Sequence, residues 1–425
     1  MATYNGYPFD AEVFNYNWQN ENDPTLTAIL ESGAMQNNSE IARLVANGSD
    51  TYTIPFYKTI GGEPENYDGQ TDLGTTTPEG DSQSGIVYGR GHGWRAQDFT
   101  VDYNSGADPM KQITSQVGKF WNKYRQNKML DVINAVFGVS AEGWDDHKIN
   151  ALSAEISETT VNDAARDALG DAASSLSLAI VHSHTAKKLE SLNLVNYRKY
   201  TDPAGITRDL PIGDINGKTL IVDDGMPIDY DRTSGTAGVY TVTVGGTVAE
   251  GNKFTIDGVE VTMGSGDDTA AEAATAFVTA YGTSHGYSAS ASGAVITFTE
   301  KSGSYGNGMP KFSSAAPALT LTGATTTKGV ATKHYTTFLL GAGALQYAKA
   351  SVKVPSEVSR DPAKNGGEDI LYTRVRETIH PNGFSFVKPA TGYTASPTNA
   401  QLADSNNWVI KGNPKNIAMV KIKTR

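Results

Sequence analysis

Gly89-Arg90-Gly91-His92-Gly93 is the run in this sequence with the most obvious chemical promise, because close-set glycines expose the backbone amides that cradle phosphates. A phosphate loop also needs a lysine, a Ser/Thr and a helix directly behind it. None of these follows here, so the run reads as a kinked or bulged strand. Gly80-Asp81-Ser82-Gln83-Ser84 stops one residue short of a nucleophile elbow and has no strand in front of it. His182 and His184 stand two apart, which sends them to different faces of a helix, and no His-Glu-x-x-His spacing occurs. They read as capping or surface residues. Asp223-Asp224 with Asp229 and Asp231 offers hard oxygens to a calcium ion. However, Tyr240 stands where an EF-hand loop starting at Asp229 requires Glu, and turn-forming carboxylates are the simpler reading. Asp267-Asp268 precedes Thr269 and reads as a helix cap and dipole complement. The absence of cysteine removes disulfides, thiolate ligands and thiol nucleophiles together. No nucleophile, base and oxyanion donor converge. The expectation is a protein with no catalytic residue, no cofactor and no metal, hence not an enzyme.

A chain of 425 residues has room for two or three domains. No stretch approaches the ~18–20 apolar residues of a membrane helix, and Met1–Asp10 lacks the basic start and apolar run of a secretory signal. The chain is therefore expected to be soluble and made in a cytoplasm. A net charge of −11 argues against a dedicated nucleic-acid binder. The charge is unevenly spread. Residues 1–105 carry 15 acidic and 4 basic side chains, residues 106–138 carry 2 and 5, and residues 333–425 carry 6 and 13. Two readings stay open: solvated faces of no consequence, or an acidic front of one subunit lying on the basic back of another.

The elements that would carry such contacts can be read in order. Residues 1–50 are polar and asparagine-rich, with two short apolar patches, Leu26–Leu30 and Ile41–Val45, too small for a core of their own. They read as an arm. Thr51–Tyr57 is rich in strand formers, and Pro55 marks it as an edge strand. A second strand-like region runs from Ile86 to Tyr103, and Gly61–Gly85 between the two is almost free of apolar residues. The expectation is a long two-stranded projection with a structureless tip. Asp108-Pro109 then supplies a cap and a first-turn proline. Ile113, Val117, Phe120, Trp121, Tyr124, Met129, Ile133, Val136 and Phe137 follow at helical spacing, among Lys111, Lys119, Lys123, Arg125 and Lys128. Further helices are expected over 160–169 and 172–189, and a turn feeding a buried strand over 214–222. Residues 233–332 contain no arginine or tryptophan and are dense in Thr, Gly, Ser and Ala. Hairpins around Asp257-Gly258 and Ser292-Gly293, a helix over 269–281 and a strand over 318–321 predict a small β-rich domain there. Residues 417–423 read as a strand with a basic, half-exposed face.

This order of parts resembles the Hong Kong 97-like α+β fold of tailed-bacteriophage major capsid proteins. The stretches that carry the resemblance are Ser32-Gly33-Ala34-Met35, Thr53-Ile54-Pro55-Phe56, Gly213-Asp214-Ile215-Asn216-Gly217-Lys218 and Val222-Asp223-Asp224-Gly225-Met226-Pro227. Phe338-Leu339-Leu340-Gly341-Ala342-Gly343-Ala344 and His380-Pro381-Asn382-Gly383 complete the set. The resemblance implies an N-terminal arm 1–50, an extended loop 51–105 and a spine helix 106–138. It further implies a peripheral domain 139–190 with 378–425 and an axial domain 191–232 with 333–377, interrupted by an inserted domain 233–332. It implies a homo-oligomeric shell of hexamers and pentamers enclosing double-stranded DNA without reading its sequence. The partners implied are portal, scaffolding or decoration proteins and no membrane, and the location implied is the virion after assembly in a bacterial cytoplasm. Ile54, Phe56, Tyr57, Ile86, Tyr88, Lys119, Lys123 and Arg125 are the expected intersubunit contacts. An encapsulin-like compartment would share the fold, but the insertion and these motifs disfavour it. A surface adhesin would explain 233–332 but not the amphipathic helix.

Overall fold

The computed structural model describes residues 3–4, 7–8, 29, 32–46, 48–58, 60–67, 70, 74–98, 109–201 and 207–425. The expected strand residues Phe99–Tyr103, the cap at Asp108 and the patch Leu26–Leu30, apart from Ile29, lie outside them. The chain forms two compact units, Met1–Pro227 with Thr336–Thr424, and Ile228–Tyr335.

In the first unit β1 (Met35–Asn37) leads to α1 (Ser39–Ala46), then β2 (Thr51–Tyr57), β3 (Gly80–Ile86) and β4 (Tyr88–Gln97). The long helix α2 (Pro109–Val136) follows, 28 residues or ~42 Å at 1.5 Å per residue. After it come β5 (Ile149–Ala151), α3 (Thr160–Leu169), β6 (Leu176–Val181), α4 (Ser183–Ser191), β7 (Asn196–Thr201), β8 (Thr207–Ile215) and β9 (Lys218–Val222). Helix was expected across 172–189, yet its middle is strand β6, flanked by a 3-10 turn at Gly170–Ser175 and by α4. The reason is burial on both faces: Leu176, Leu178, Ala179, Ile180 and Val181 are all enclosed. A continuous apolar run of that kind has no period to separate strand from helix.

The second unit contains β10 (Ile228–Thr236), β11 (Val239–Gly246), β12 (Lys253–Ile256), β13 (Val259–Thr262), α5 (Ala270–Tyr281), β14 (Tyr287–Ser292), β15 (Val295–Glu300), β16 (Phe312–Ser314) and β17 (Leu319–Thr327). A four-stranded sheet of order β14-β15-β11-β17 and a three-stranded sheet of order β13-β12-β16 share one core with α5, built on Tyr240, Phe254, Phe277, Tyr281 and Phe298. Asp257 and Gly258 both have positive φ, 51° and 78°, the geometry that a two-residue hairpin demands. α5 is capped by Thr269, whose side chain accepts from Glu272 N while Glu272 answers back. The cap expected from Asp267-Asp268 is thus supplied one residue later, and Asp267 instead accepts from Gly264 N at 2.8 Å. Ile228 pairs with Tyr335, so the chain enters and leaves this unit side by side.

The chain continues as β18 (Val330–Gly341), β19 (Leu345–Ala350), β20 (Ser356–Asp361), β21 (Glu368–Pro381), β22 (Phe384–Phe386), α6 (Asn399–Ala403), β23 (Trp408–Ile410) and β24 (Met419–Thr424). In the first unit, one sheet has the order β5-β24-β18-β6-β9-β8-β7. It takes strands from both segments expected as peripheral and axial, so strand pairing does not follow that division. The C-terminal strand does not present the half-exposed basic face expected of it. β24 lies inside this sheet, Met419, Val420 and Ile422 are buried, and Lys421 is buried against Asn134 Oδ1 at 2.9 Å.

A second sheet is organised by β21. One edge of this strand carries β4 over ten consecutive pairs, and the other carries β20 and then β19, with β1 beyond β19. The expected projection paired residues 51–57 with a long strand from 86 onward. Instead β3 closes the hairpin and β4 leaves it to join β21. Nor is the Gly89–Gly93 run bulged. Its register against β21 is unbroken, and the glycines at 89, 91 and 93 stand opposite Arg376, Arg374 and Tyr372.

Candidate assembly surfaces on the hairpin and the long helix

Gly80–Ile86 is a strand in spite of its loop-like composition, because its neighbours hold it. β3 pairs with β2 from Thr51↔Ile86 to Tyr57↔Gly80. Gln83, 6% exposed, donates through Nε2 to Asn382 Oδ1 at 3.2 Å, and its Oε1 accepts from Gly383 N at 2.9 Å. That oxygen also lies 3.4 Å from His380 Nε2. Ser84 N donates to Ser385 Oγ at 3.0 Å. Tyr52 is buried with its hydroxyl 3.0 Å from Thr378 Oγ1, and burial pushes that phenol well above its usual value. Burial also drives His380 down to about 4, since an imidazolium there would be stripped of water. The hairpin root is therefore a packed, hydrogen-bonded joint. Sequence reading assigned Gln83, Ser84 and the His380-Pro381-Asn382-Gly383 turn no place in it, and their separation of about 300 positions gave no local signal.

Beyond the root the burial ends. Every described residue from Lys58 to Glu79 is exposed, Ile60 at 74% and Tyr67 at 85% among them. The inventory of charges over 58–79 is Glu63, Glu65, Asp68, Asp72 and Glu79 against Lys58 alone. The contacts in the described part of the tip include Lys58 N to Glu79 O at 2.8 Å, Lys58 Nζ to Glu79 Oε2 at 3.1 Å, and Gly74 N to Glu65 Oε2 at 2.7 Å.

The expected contact residues sort themselves by exposure. Tyr57 is open to solvent at 82%, Lys119 and Lys123 are exposed on α2, and Ile54 and Phe56 are half-buried on the inward face of β2. Ile86 and Tyr88 are each 1% exposed and Arg125 is 4% exposed, so these three belong to the interior of their own subunit. Arg125 is expected from the sequence to meet another subunit. It is instead an inward charge: Nε meets Glu377 Oε2 at 2.8 Å, and Nη1 donates to Asn122 Oδ1 at 2.8 Å. The Tyr347 and Tyr88 hydroxyls donate to the same carboxylate at 3.1 and 3.4 Å. Lys128 is likewise buried, paired with Asp131. Part of the basic back end is therefore consumed inside the subunit. What remains outside on this face of α2 is aromatic as well as charged: Phe120, 41% exposed, packs with His92 and Trp94 at centroid distances of 5.1 and 5.3 Å.

The polar motifs have ordinary structural duties. His182 caps α4, with Nδ1 accepting from His184 N at 3.1 Å. Asp223 accepts from Gly225 N and from Gln126 Nε2, and Asp231 accepts from Thr233 N. Among the described residues no group of three or more His, Asp or Glu side chains is placed to hold a metal ion, and no helix is long and apolar enough to cross a membrane.

No family model matches the chain. It is similar in sequence to the major capsid protein of Bacillus phage SPP1, 24% identical over 406 residues, which cover 94% of this chain and 91% of that protein. Solved structures similar to it include the capsid of cyanophage Pam1, with a TM-score of 0.45 and 11% identity over 92% of this chain and 88% of that one. Another is the capsid of Helicobacter pylori bacteriophage KHP30, with a TM-score of 0.44 and 11% identity over 95% and 91%. A third is the capsid of Ralstonia phage GP4, with a TM-score of 0.44 and 8% identity over 93% and 87%. Along nearly its whole length, and not only at the motifs that first suggested it, this chain resembles the major capsid proteins of tailed bacteriophages.

Proposed function

We propose that this protein is the major capsid protein of a tailed bacteriophage, and that its subunits build the virion shell by self-assembly. Its role is structural. The observation that carries the reading is the near-full-length similarity to a curated major capsid protein. The hairpin supports it physically: a rigid, buried root holds out a tip whose exposed Tyr57, Ile60 and Tyr67 find no cover in their own subunit. Burial of such side chains against a neighbour stabilises association by roughly 25 cal/mol per Å² of apolar surface. The finer reading is a closed icosahedral shell of hexamers and pentamers, assembled in the bacterial cytoplasm around double-stranded DNA. Portal, scaffolding or decoration proteins of the same phage are its expected partners. The acidic balance suits an inner surface that does not grip packaged DNA, which a basic lining would bind strongly. Electron microscopy of the purified chain, alone and co-expressed with its neighbouring genes, tests this. Closed particles with hexameric and pentameric units are expected, and only dispersed monomers under both conditions would count against it.

A further inference from the structure

β4 is an edge strand. It pairs with β21 from Tyr88 to Gln97, and among the described residues no strand pairs with its other side. Antiparallel pairing alternates, so every second residue turns its N–H and C=O away from the partner. Three contacts fix which residues these are. Gly89 N donates to Ser396 Oγ at 3.0 Å rather than to β21. Arg374, opposite Gly91, donates its N–H to Pro355 O at 2.8 Å and so turns away from β4. Asp98 N donates back to Gly367 O, at the start of β21, at 3.0 Å. Gly91, Gly93 and Arg95 therefore hold three N–H and three C=O groups at the open edge, and all three residues are exposed. Sheet edges are commonly blunted by a bulge, a proline or shortness. β4 runs ten residues in unbroken register and has no proline.

The two faces beside this edge differ. On one, the glycines make room for β21: a Cβ at Gly93 would stand 2.9 Å from the Tyr372 ring, so that ring lies over bare backbone. On the other, His92 and Trp94 pack on Phe120 of α2 at 5.1 and 5.3 Å, and Phe120 is 41% exposed. At about 100° per residue, Lys123 and Lys119 follow Phe120 around the helix, away from the buried Val117 and Trp121. Both lysines are exposed, and neither makes an ion pair among the described residues. A strand laid on β4 would meet aromatic rings and then ammonium groups on its α2 side. One segment of the chain carries the complementary pattern. In Asp10–Trp18, outside the described residues, Asp10, Glu12, Phe14, Tyr16 and Trp18 alternate with Ala11, Val13, Asn15 and Asn17. Extended, that spacing puts acids and aromatics on one face and small or amide groups on the other. The hairpin tip is acidic too, but Pro64 and Pro78 interrupt it as a strand.

We propose that the open edge of β4 at Gly91, Gly93 and Arg95 receives residues 10–18 of a second copy of the chain as an added strand. Main-chain hydrogen bonds supply the affinity. Phe14, Tyr16 and Trp18 lie against His92, Trp94 and Phe120, and the carboxylates of Asp10 and Glu12 complement Lys119 and Lys123. The chain's own segment leads through Ile29 to Met35–Asn37, which pairs beyond β19 at the opposite edge of this sheet. That a second copy is at hand rests on the shell reading above; the open edge does not.

The test reads amide hydrogen exchange first in dispersed full-length subunits, so that the site is judged apart from assembly. A synthetic peptide of residues 9–20, at roughly ten times its dissociation constant, should slow exchange at Gly91, Gly93 and Arg95 about tenfold. The same peptide carrying Asn15→Pro should not. Equal exchange with either peptide would overturn the site. In particles the three amides should be protected, and Asn15→Pro in the full chain, which leaves every described residue untouched, should expose them again. Amides that stay open in particles, or that this variant leaves protected, would overturn the inference while the shell reading stands. The chain has no cysteine, so Arg95→Cys paired in turn with Ala11→Cys, Val13→Cys and Asn17→Cys traps the register. Particles grown from mixed heavy- and light-isotope chains should yield disulfide-linked peptides with one half of each kind. Linked halves of one kind only would assign the strand to the chain's own segment and overturn the second copy. Subunits that bind the peptide yet never form particles would sink the shell reading and keep the strand site.

Discussion

Arg125 Nε donates to Glu377 Oε2 at 2.8 Å between side chains 5% and 1% exposed, which ties the long helix to the central strand of the five-stranded sheet through a charge pair sealed from water. Two buried tyrosine hydroxyls donate to the same carboxylate, so the charge on Glu377 is solvated by protein rather than by water. Trp121 reinforces the joint one turn earlier, with Nε1 donating to Thr373 Oγ1 at 3.0 Å.

Glu377→Gln keeps the shape of that joint and removes its charge, leaving the Arg125 guanidinium buried without a counter-ion. Removing one partner of a buried pair costs about 3–5 kcal/mol. Chemical denaturation should show the loss. Arg125→Met together with Glu377→Leu should recover only part of it, because the apolar pair removes the buried charges but takes away the acceptor of the Tyr88 and Tyr347 hydroxyls. A single substitution that changes stability by less than about 1 kcal/mol would mean that the pair behaves as a surface pair does.

How far the sequence revealed this is instructive at particular residues. The long helix is legible because Val117, Trp121, Met129, Ile133 and Val136 repeat at its period and all are buried. The turn chemistry at Asp257-Gly258 is local and legible for the same reason. The inward course of Arg125 is not legible: a basic residue on a helix normally faces water, and its partner Glu377 lies 252 positions away. Gln83 is the sharper case. Its neighbours Gly80 to Gly85 read as loop, and only the distant Asn382, Gly383 and His380 make a strand of them. β6 was misread for a third reason, since burial on both faces erases the alternation that marks a strand.

The hairpin root should be sensitive to acid through His380. Its folded value is depressed to about 4 by burial, against an ordinary value near 6.5, so between these limits the unfolded chain binds the extra proton. The stabilising contribution is complete above about pH 6.5 and is lost as the pH falls toward about 4, on the order of 3 kcal/mol in all. His380→Gln should flatten that part of the stability–pH curve. An unchanged curve would remove His380 as its cause.

The second unit contains a different acid-sensitive device. Glu300, 3% exposed, accepts from the amides of Gly238, Gly306 and Gly308 at 2.9, 2.9 and 3.0 Å. Its burial would raise the carboxyl, but these donors and the Tyr240 hydroxyl together hold it below its usual value. A depressed carboxylate stabilises the fold above its unfolded pKa and loses that contribution as pH falls through the folded value. Glu300→Gln should destabilise the isolated Ile228–Tyr335 segment at neutral pH and make its melting less dependent on pH below about 4.5. Replacing 228–335 by a short Gly/Ser linker in the full chain should leave the other unit melting cooperatively, because Ile228 and Tyr335 already stand opposite each other. Aggregation of the deletion together with an unfolded isolated segment would contradict that independence.

The tip of the projecting hairpin makes the most direct claim on function. Ordering a backbone costs roughly 1–2 kcal/mol per residue, and the described residues from Lys58 to Glu79 bury nothing in their own subunit that would offset it. Below them, Tyr52, Gln83 and Ile86 fix the two strands firmly. The tip should therefore be open to proteases in free subunits and protected once it lies on a neighbour. Cleavage by a glutamate-specific protease after Glu65, which precedes Asn66, followed by mass spectrometry, should be fast before assembly and suppressed in particles. Shortening 60–78 to a tight turn should preserve the melting temperature, since the root is untouched, yet prevent closed shells. Tyr67→Ser with Ile60→Ser is the gentler version, removing two exposed apolar side chains of the described tip without altering its length, and should slow closure. Normal particles from the shortened chain, or free subunits that resist cleavage at Glu65, would show that the tip is not what joins one subunit to the next.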